Sequence, residues 1–216
     1  MKLRPPVRLA SLAHRGGFTL MELLVVISII GVLAALAIPA LFAARKRSKV
    51  SACRTTITQL DNALTSYESK FADYPPSGGF TKGSNDINQG NESLVWHLFT
   101  TQKGGPFLDM SSWEAELING DADAAAKPPD SSNYMKNDLV ELGDAFKNPF
   151  VYFHSRDYQK PAKFGKYTIA GAEVECVPQK SAKTGNYYSP GKYMLWSAGG
   201  DDENNNGSEE DVASWN

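Results

Sequence analysis

The sequence predicts an α+β protein in which a long, kinked amino-terminal helix has an apolar, membrane-spanning first half. Its second half packs on a small antiparallel β-sheet. Three observations carry this expectation. Residues 18–44 are a 27-residue run whose only charge is Glu22. Apolar side chains then recur from Val50 to Phe71 in alternating steps of three and four. The carboxy-terminal third holds short stretches rich in aromatic and β-branched residues. Length, helical period and strand propensity therefore each point to one layer of the fold.

The apolar run comes first. About 20 apolar residues rising ~1.5 Å each cross the hydrocarbon core of a bilayer, so Phe18–Ala44 is long enough. Residues 1–17 carry Lys2, Arg4, Arg8 and Arg15 and no acid, which suits a cytoplasmic start. With four of the 22 basic residues spent there, the rest of the chain has 18 against 24 acids. The net charge of −2, with 42% apolar and 21% charged residues, is globular and argues against a nucleic-acid partner.

Glu22 decides between three readings of this segment. A secretory signal peptide with "ALA" at Ala35–Ala37 as its cleavage site leaves the acid without a purpose. So does a plain membrane anchor, since an acid at a helix centre costs ~2.5–3.5 kcal/mol on insertion scales. A cut between Gly17 and Phe18 gives Glu22 a role. It makes Glu22 the fifth residue and gives Phe18 a free amine that a carboxylate can pair with, on the same chain or a neighbour.

The stretch "GGFTLMELLVVISIIGVLAALAIPAL" resembles the amino terminus of type IV pilins and of type II secretion pseudopilins. The resemblance implies cleavage between Gly17 and Phe18 by a prepilin peptidase, N-methylation of Phe18, assembly through Glu22 and a helix kink at Pro39. It further implies a single-pass inner-membrane protein whose globular domain lies in the periplasm, assembled into a homo-oligomeric helical filament. The partners it implies are minor pseudopilins, an inner-membrane assembly platform and membrane lipid before extraction, with no nucleic acid.

Beyond "ARKRSK" (44–49) the stripe Val50, Cys53, Ile57, Leu60, Leu64, Tyr67 and Phe71 marks one helix face. Three repeats without matching flanking charges make a weak coiled coil, so the face is expected to lie against the chain's own sheet. Pro75 disfavours helix in Tyr74 and ends the element. The resulting organisation is a basic leader (1–17), an apolar helix (18–44), its amphipathic continuation (45–74), variable loops with short helices (75–148), and a sheet with an acidic loop (149–216).

Within 75–148, "NESLVWHLFT" reads as a short helix capped by Asn91. "SSWEAELING" reads as a second start with Ser111 and Glu114 as a capping box, and "GDADAAAKPPDSS" as a surface loop. Strand stretches follow at 149–155, 166–170, 172–177 and 192–197, the middle two joined as a hairpin near Gly171. They suggest one antiparallel sheet of three or four strands. His97 and His154 are isolated and expected to be structural. No nucleophile–base arrangement, paired acids or phosphate loop stands out, so the expectation is a structural subunit and not an enzyme. Cys53 and Cys176 either pair in an oxidising compartment or remain separate thiols, and their spacing makes no metal site.

The acidic stretch "SAGGDDENNNGSEEDVASW" (197–215) suggests Ca²⁺. Asp202, Asn204, Asn206 and Gly207 fit D-x-N-x-N-G, although Ala213 stands where an EF-hand needs glutamate. Val212 and Trp215 suggest that the far end returns to the core. The stretch also resembles the calcium loop of the major (G-type) pseudopilin, through Tyr193, Trp196, Ser197, Gly199 and Asp201, then Asp211, Val212 and Trp215. That resemblance implies Asp201 and Asp211 as the main carboxylate ligands. "DAFKNPFVYF" (144–153) is loosely similar to another segment of the same family. The two calcium registers differ at their start, and both stay open here. The expected function is a pseudopilus subunit driving protein export. The alternatives are a type IV pilin for adhesion or motility, and a secreted calcium-binding protein with an ordinary signal peptide.

Overall fold

The computed structural model describes residues 18–79, 85–123, 132–135, 138–200, 203–208 and 211–215. The leader, including Gly17, and the acids Asp201 and Asp202 lie outside these residues. The chain divides into two compact units, Met1–Ala44 and Arg45–Asn216.

Helix α1 spans Leu20–Phe71 and includes Pro39. In the first unit its apolar side chains are exposed, Leu20, Val32 and Leu36 among them. Among the described residues it is the one helix long and apolar enough to cross a membrane. Pro39 offers no N–H to the preceding turn, which weakens the helix there without ending it. The element stops at Phe71, three residues short of the expected boundary, because Ala72 takes a positive φ of 55°.

In the second unit, α1 buries Cys53, Ile57, Leu60, Ala63, Leu64 and Tyr67. This is the expected stripe with Ala63 added beside Leu64. Phe71 is 43% exposed and lies at the stripe's margin.

Strands β3 (Val151–His154), β6 (Tyr193–Ser197) and β7 (Val212–Ala213) form an antiparallel sheet in the order β3-β6-β7. Tyr152 faces Leu195 and Phe153 faces Met194 across the β3–β6 pair. Alternate residues enter two separate cores. Phe150, Tyr152, Tyr193 and Leu195 pack with α1 and α2 (Gln89–Phe99). Val151, Phe153, Met194 and Trp196 pack on the opposite face with Tyr167 and Ile169. Burial on both faces explains why these strands read as near-continuous apolar runs. Each buried aromatic or large aliphatic side chain contributes roughly 1.5–3 kcal/mol to that packing.

The expected hairpin is β4 (Lys166–Ile169) with β5 (Ala172–Glu175). It turns at Ala170 and Gly171, whose φ values of 51° and 79° match a two-residue primed turn. The hairpin does not join the main sheet, contrary to the single sheet expected from sequence. Instead Tyr167 closes the free edge of β3: its hydroxyl accepts from Tyr152 N (3.1 Å) and donates to Tyr152 O (3.1 Å). A short pair, β1 (Leu117–Ile118) with β2 (Glu141–Leu142), completes the unit.

Two local expectations are corrected. Asn91 does not cap α2; Asn88 occupies that position in a left-handed conformation and makes no side-chain cap. Asn91 points inward, donating to Leu142 O (2.9 Å) and Phe150 O (2.7 Å) and accepting from Leu142 N (2.6 Å). Gly90 permits this docking, since a Cβ there would sit 2.2 Å from Tyr152 O. Ser111 and Glu114 form no capping box either. Asp109 caps a 3₁₀ turn, Met110–Trp113, by accepting from Ser111 N.

Candidate functional site

The amino-terminal end of α1 holds Glu22 in a reciprocal cap. Thr19 donates to Glu22 Oε2 from both its backbone N and its hydroxyl, each at 2.8 Å. Glu22 N returns a bond to Thr19 Oγ1 at 3.2 Å. This T-x-x-E capping box anchors the carboxylate at the positive end of the helix, one turn from Phe18. Its sequence signal is Thr19 followed three residues later by Glu22 at the start of the apolar run. Phe18 is 81% exposed, as are its apolar neighbours along the first unit. In the uncut chain its nitrogen is an amide, and cleavage before it would place an amine beside an already positioned acid.

The carboxy-terminal loop is fastened at both ends. At its base, Ser197 donates to the buried Asp144, and Gly199 N donates back to Ser197 Oγ at 3.1 Å. Asp144 also gathers Phe146 N (2.8 Å) and Asn148 N (3.0 Å). The two separated stretches singled out by resemblance, 144–153 and 193–215, therefore meet at Ser197 and Asp144. At its far end β7 pairs with β6. Trp215 stacks on Tyr188 with centroids 5.7 Å apart. The return of the chain suggested by Val212 and Trp215 is thus a strand.

Inside the loop the oxygen donors divide. Asn204 Oδ1 accepts from Trp196 Nε1 (3.1 Å) and Asn206 N (3.1 Å). Asn206 Oδ1 accepts from Val177 N (2.6 Å) and Asn204 Nδ2 (3.0 Å). Both side chains thus tie the loop to β6 and to the segment after β5. Asp211 is buried, and its Oδ2 accepts from Asn205 N (3.0 Å) and Gly207 N (2.7 Å), folding the loop around one carboxylate.

A third feature was not anticipated. Glu92, in the first turn of α2, is fully buried, and its carboxylate is grouped with those of Asp121 and Asp123 beyond β1. Glu141 of β2 lies alongside, accepting from Asn88 Nδ2 (2.9 Å) and Gly120 N (3.0 Å). Burial and the charges of Asp123, Asp121 and Glu141 push the Glu92 carboxyl up to about 9. Burial and Asp121 push Glu141 up to about 8. The expectation that no acids pair is overturned. The Asp-x-Asp spacing at 121–123 was the visible hint, hidden by its reading as a surface loop.

His154 and His97 both make structural contacts. His154 accepts from Arg156 N at Nδ1 (3.0 Å), so its Nε2 donates to Asp73 Oδ1 (2.9 Å), tying β3 to the end of α1. His97 bonds within α2, to Ser93 O at 2.7 Å. Cys53 and Cys176 are both free and buried, one in each core.

Comparison with known proteins follows the same lines. The model of the prokaryotic N-terminal methylation motif matches residues 12–38. Type II secretion system core protein G of Escherichia coli is 28% identical over 158 residues, covering 72% of this chain and 79% of that protein. Type IV major pilin protein PilA of Myxococcus xanthus is 42% identical over 67 residues, 30% of each chain. Type IV major fimbrial protein FimA of Dichelobacter nodosus is 34% identical over 106 residues, 48% of this chain and 62% of the relative. No solved structure gives a significant match. The methylation motif falls on the stretch that holds Glu22 and the apolar start of α1. In its methylation motif and in its curated relatives the chain is similar to type IV pilins and type II secretion pseudopilins.

Proposed function

We propose that this chain is a structural subunit of a type II secretion pseudopilus. On this reading a prepilin peptidase cuts it after Gly17 and methylates Phe18. The chain waits in the inner membrane with its globular domain in the periplasm and is then drawn into a filament that drives protein export. The observation that carries the reading is the similarity to core protein G, which spans 79% of that protein and so includes part of the globular unit. The similarity to the pilin PilA covers 30% of the chain. A surface pilin is the second reading, favoured by FimA at 34% identity.

Processing and role are tested together. Mass spectrometry of the membrane-extracted chain should show an amino terminus at N-methylated Phe18. A terminus at Ile38 would instead indicate an ordinary signal peptide. Deleting the gene should stop export of a secreted protein and leave surface pili intact; lost pili with normal export would favour the second reading.

The acidic loop is proposed to hold Ca²⁺, which suits its oxygen donors and its surplus of negative charge. Asn204 and Asn206 already spend their side-chain oxygens on protein donors. That favours the register built on Asp201 and Asp211 over the one starting at Asp202. When bound, the ion would screen the loop and stabilise the folded unit by mass action. Thermal melts of the purified chain should show Ca²⁺ raising the midpoint over chelator, with a smaller rise for Asp211→Asn. An equal rise in that variant would count against the loop site.

A further inference from the structure

We propose that the chain carries a second Ca²⁺ site, unrelated to the carboxy-terminal loop, formed by Glu92, Asp121 and Asp123 beside Glu141. Four features of the structure support it, and none depends on the choice between pilus and pseudopilus.

The first is a buried carboxyl group without a partner. Glu92 has no exposed surface, and neither carboxylate oxygen has a hydrogen-bond donor among the described residues. Asp121 Oδ2 and Asp123 Oδ1 are likewise buried without a donor. Ionising such groups without a partner costs several kcal/mol per ion, so the cluster keeps protons when empty and can release them to a bound cation. Among the described residues, the charged groups acting on Glu92 are the acids Asp123, Asp121 and Glu141.

The second is convergence. One oxygen from each of Glu92, Asp121 and Asp123 lies within 4.8 Å of the others. Oxygens sharing one Ca²⁺ at ~2.3–2.6 Å are at most about 5 Å apart, so the three fit on one ion without rearranging the backbone. The third is that the partners of the neighbouring groups hold the site open. Asn88 and Gly120 anchor Glu141. Asn85 N reaches Asp123 Oδ2 at 3.3 Å, and Asp123 N reaches Asp121 Oδ1 at 3.4 Å. These bonds fix the positions of Glu141, Asp121 and Asp123 around Glu92.

The fourth is access and selectivity. Asp121 and Asp123 are only half-buried, which keeps the cluster close to the protein surface. The donor set is all carboxylate, with no sulfur or imidazole, and therefore selects a hard divalent cation over zinc or iron. Three converging carboxylates supply more protein oxygens than a Mg²⁺ shell, with its retained waters, ordinarily uses. The ion would clamp α2, the segment after β1, and β2 at a single point. Its binding must displace a proton from Glu92, so affinity should rise with pH.

The test is calorimetric titration of CaCl₂ into the detergent-solubilised full chain, comparing wild type with Glu92→Gln and Asp211→Asn. Glu92→Gln should lose one equivalent of bound Ca²⁺ and keep whatever Asp211→Asn removes. Asp123→Asn, at a half-buried position where folding is less at risk, should weaken the same event at least ten-fold. Unchanged Ca²⁺ stoichiometry and affinity in both variants, or a wild-type chain that binds only through the Asp211 loop, would overturn the proposal. Loss of binding in Glu92→Gln with none in Asp211→Asn would uphold this site and reject the loop.

Discussion

Replacing Glu22 with glutamine is expected to abolish filament assembly while leaving the chain in the membrane. The choice of variant matters because Glu22 does two things. It closes a capping box with Thr19, and it carries the only charge in residues 18–44. Glutamine keeps the cap, since either side chain serves at that position, and removes only the charge. If the processed Phe18 amine pairs with this carboxylate between subunits, the amide leaves a cation unpaired in an apolar surround. Removing one partner of such a pair costs ~3–5 kcal/mol, roughly two to four orders of magnitude in the equilibrium for each added subunit. Thr19→Val provides the converse, losing most of the cap at about 1 kcal/mol while keeping the charge. Filaments counted by electron microscopy should be absent for Glu22→Gln and present for Thr19→Val. Normal filaments from Glu22→Gln would remove the electrostatic role and leave Glu22 a helix cap.

Elements whose physics is local could be read before the structure. The apolar first half of α1 follows from run length, and its second half from the steps between Val50 and Phe71. The β4–β5 hairpin follows from Gly171 between two alternating stretches. Misreadings occurred where a residue's partner lies far along the chain. Asn91 stands at a helix start, where caps belong, yet its bonds run to Leu142 and Phe150. Ser111 fits a capping pattern that Asp109, two residues earlier, satisfies first. The loop at 197–215 was identified by its charges, but its use of Asn204 and Asn206 as tethers depends on Trp196 and Val177. Glu92 shows this most sharply. An acid in the first turn of a helix is ordinarily a favourable surface charge, and only the packing of α2 on β2 buries it beside Asp121, Asp123 and Glu141.

That burial predicts an unusual pH dependence. Without divalent ions, stability should fall as pH rises from about 5 to 9, and Glu92→Gln should be more stable than wild type at pH 8. The folded carboxyl of Glu92 titrates at about 9 against 4.5 for an ordinary glutamate. Glu141 is raised to about 8, and Asp123 to about 6 from 3.8. Burial is the first cause in each case, followed by the other acids of the cluster. Each raised group binds a proton in the folded state that the unfolded chain has already released. Stability is therefore complete below the unfolded values and drains away through the folded ones, at about 1.4 kcal/mol per pH unit for each retained proton. Asp61 and Asp144 shift the same way through burial, which is why the variant is needed to isolate Glu92. Asp73, held down chiefly by His154, acts in the opposite sense and only as pH falls through the acid range. At ~2–4 °C per kcal/mol for a chain of this size, the decline should be plain in thermal melts run in chelator. Glutamine at position 92 cannot ionise, so its profile should be flatter and should cross above wild type on the alkaline side. Ca²⁺ should restore the wild-type midpoint at pH 8 and leave that variant's response smaller. A flat wild-type profile, or a Glu92→Gln chain less stable than wild type at pH 8, would mean that these acids are solvated or paired in solution and that no cation is needed among them.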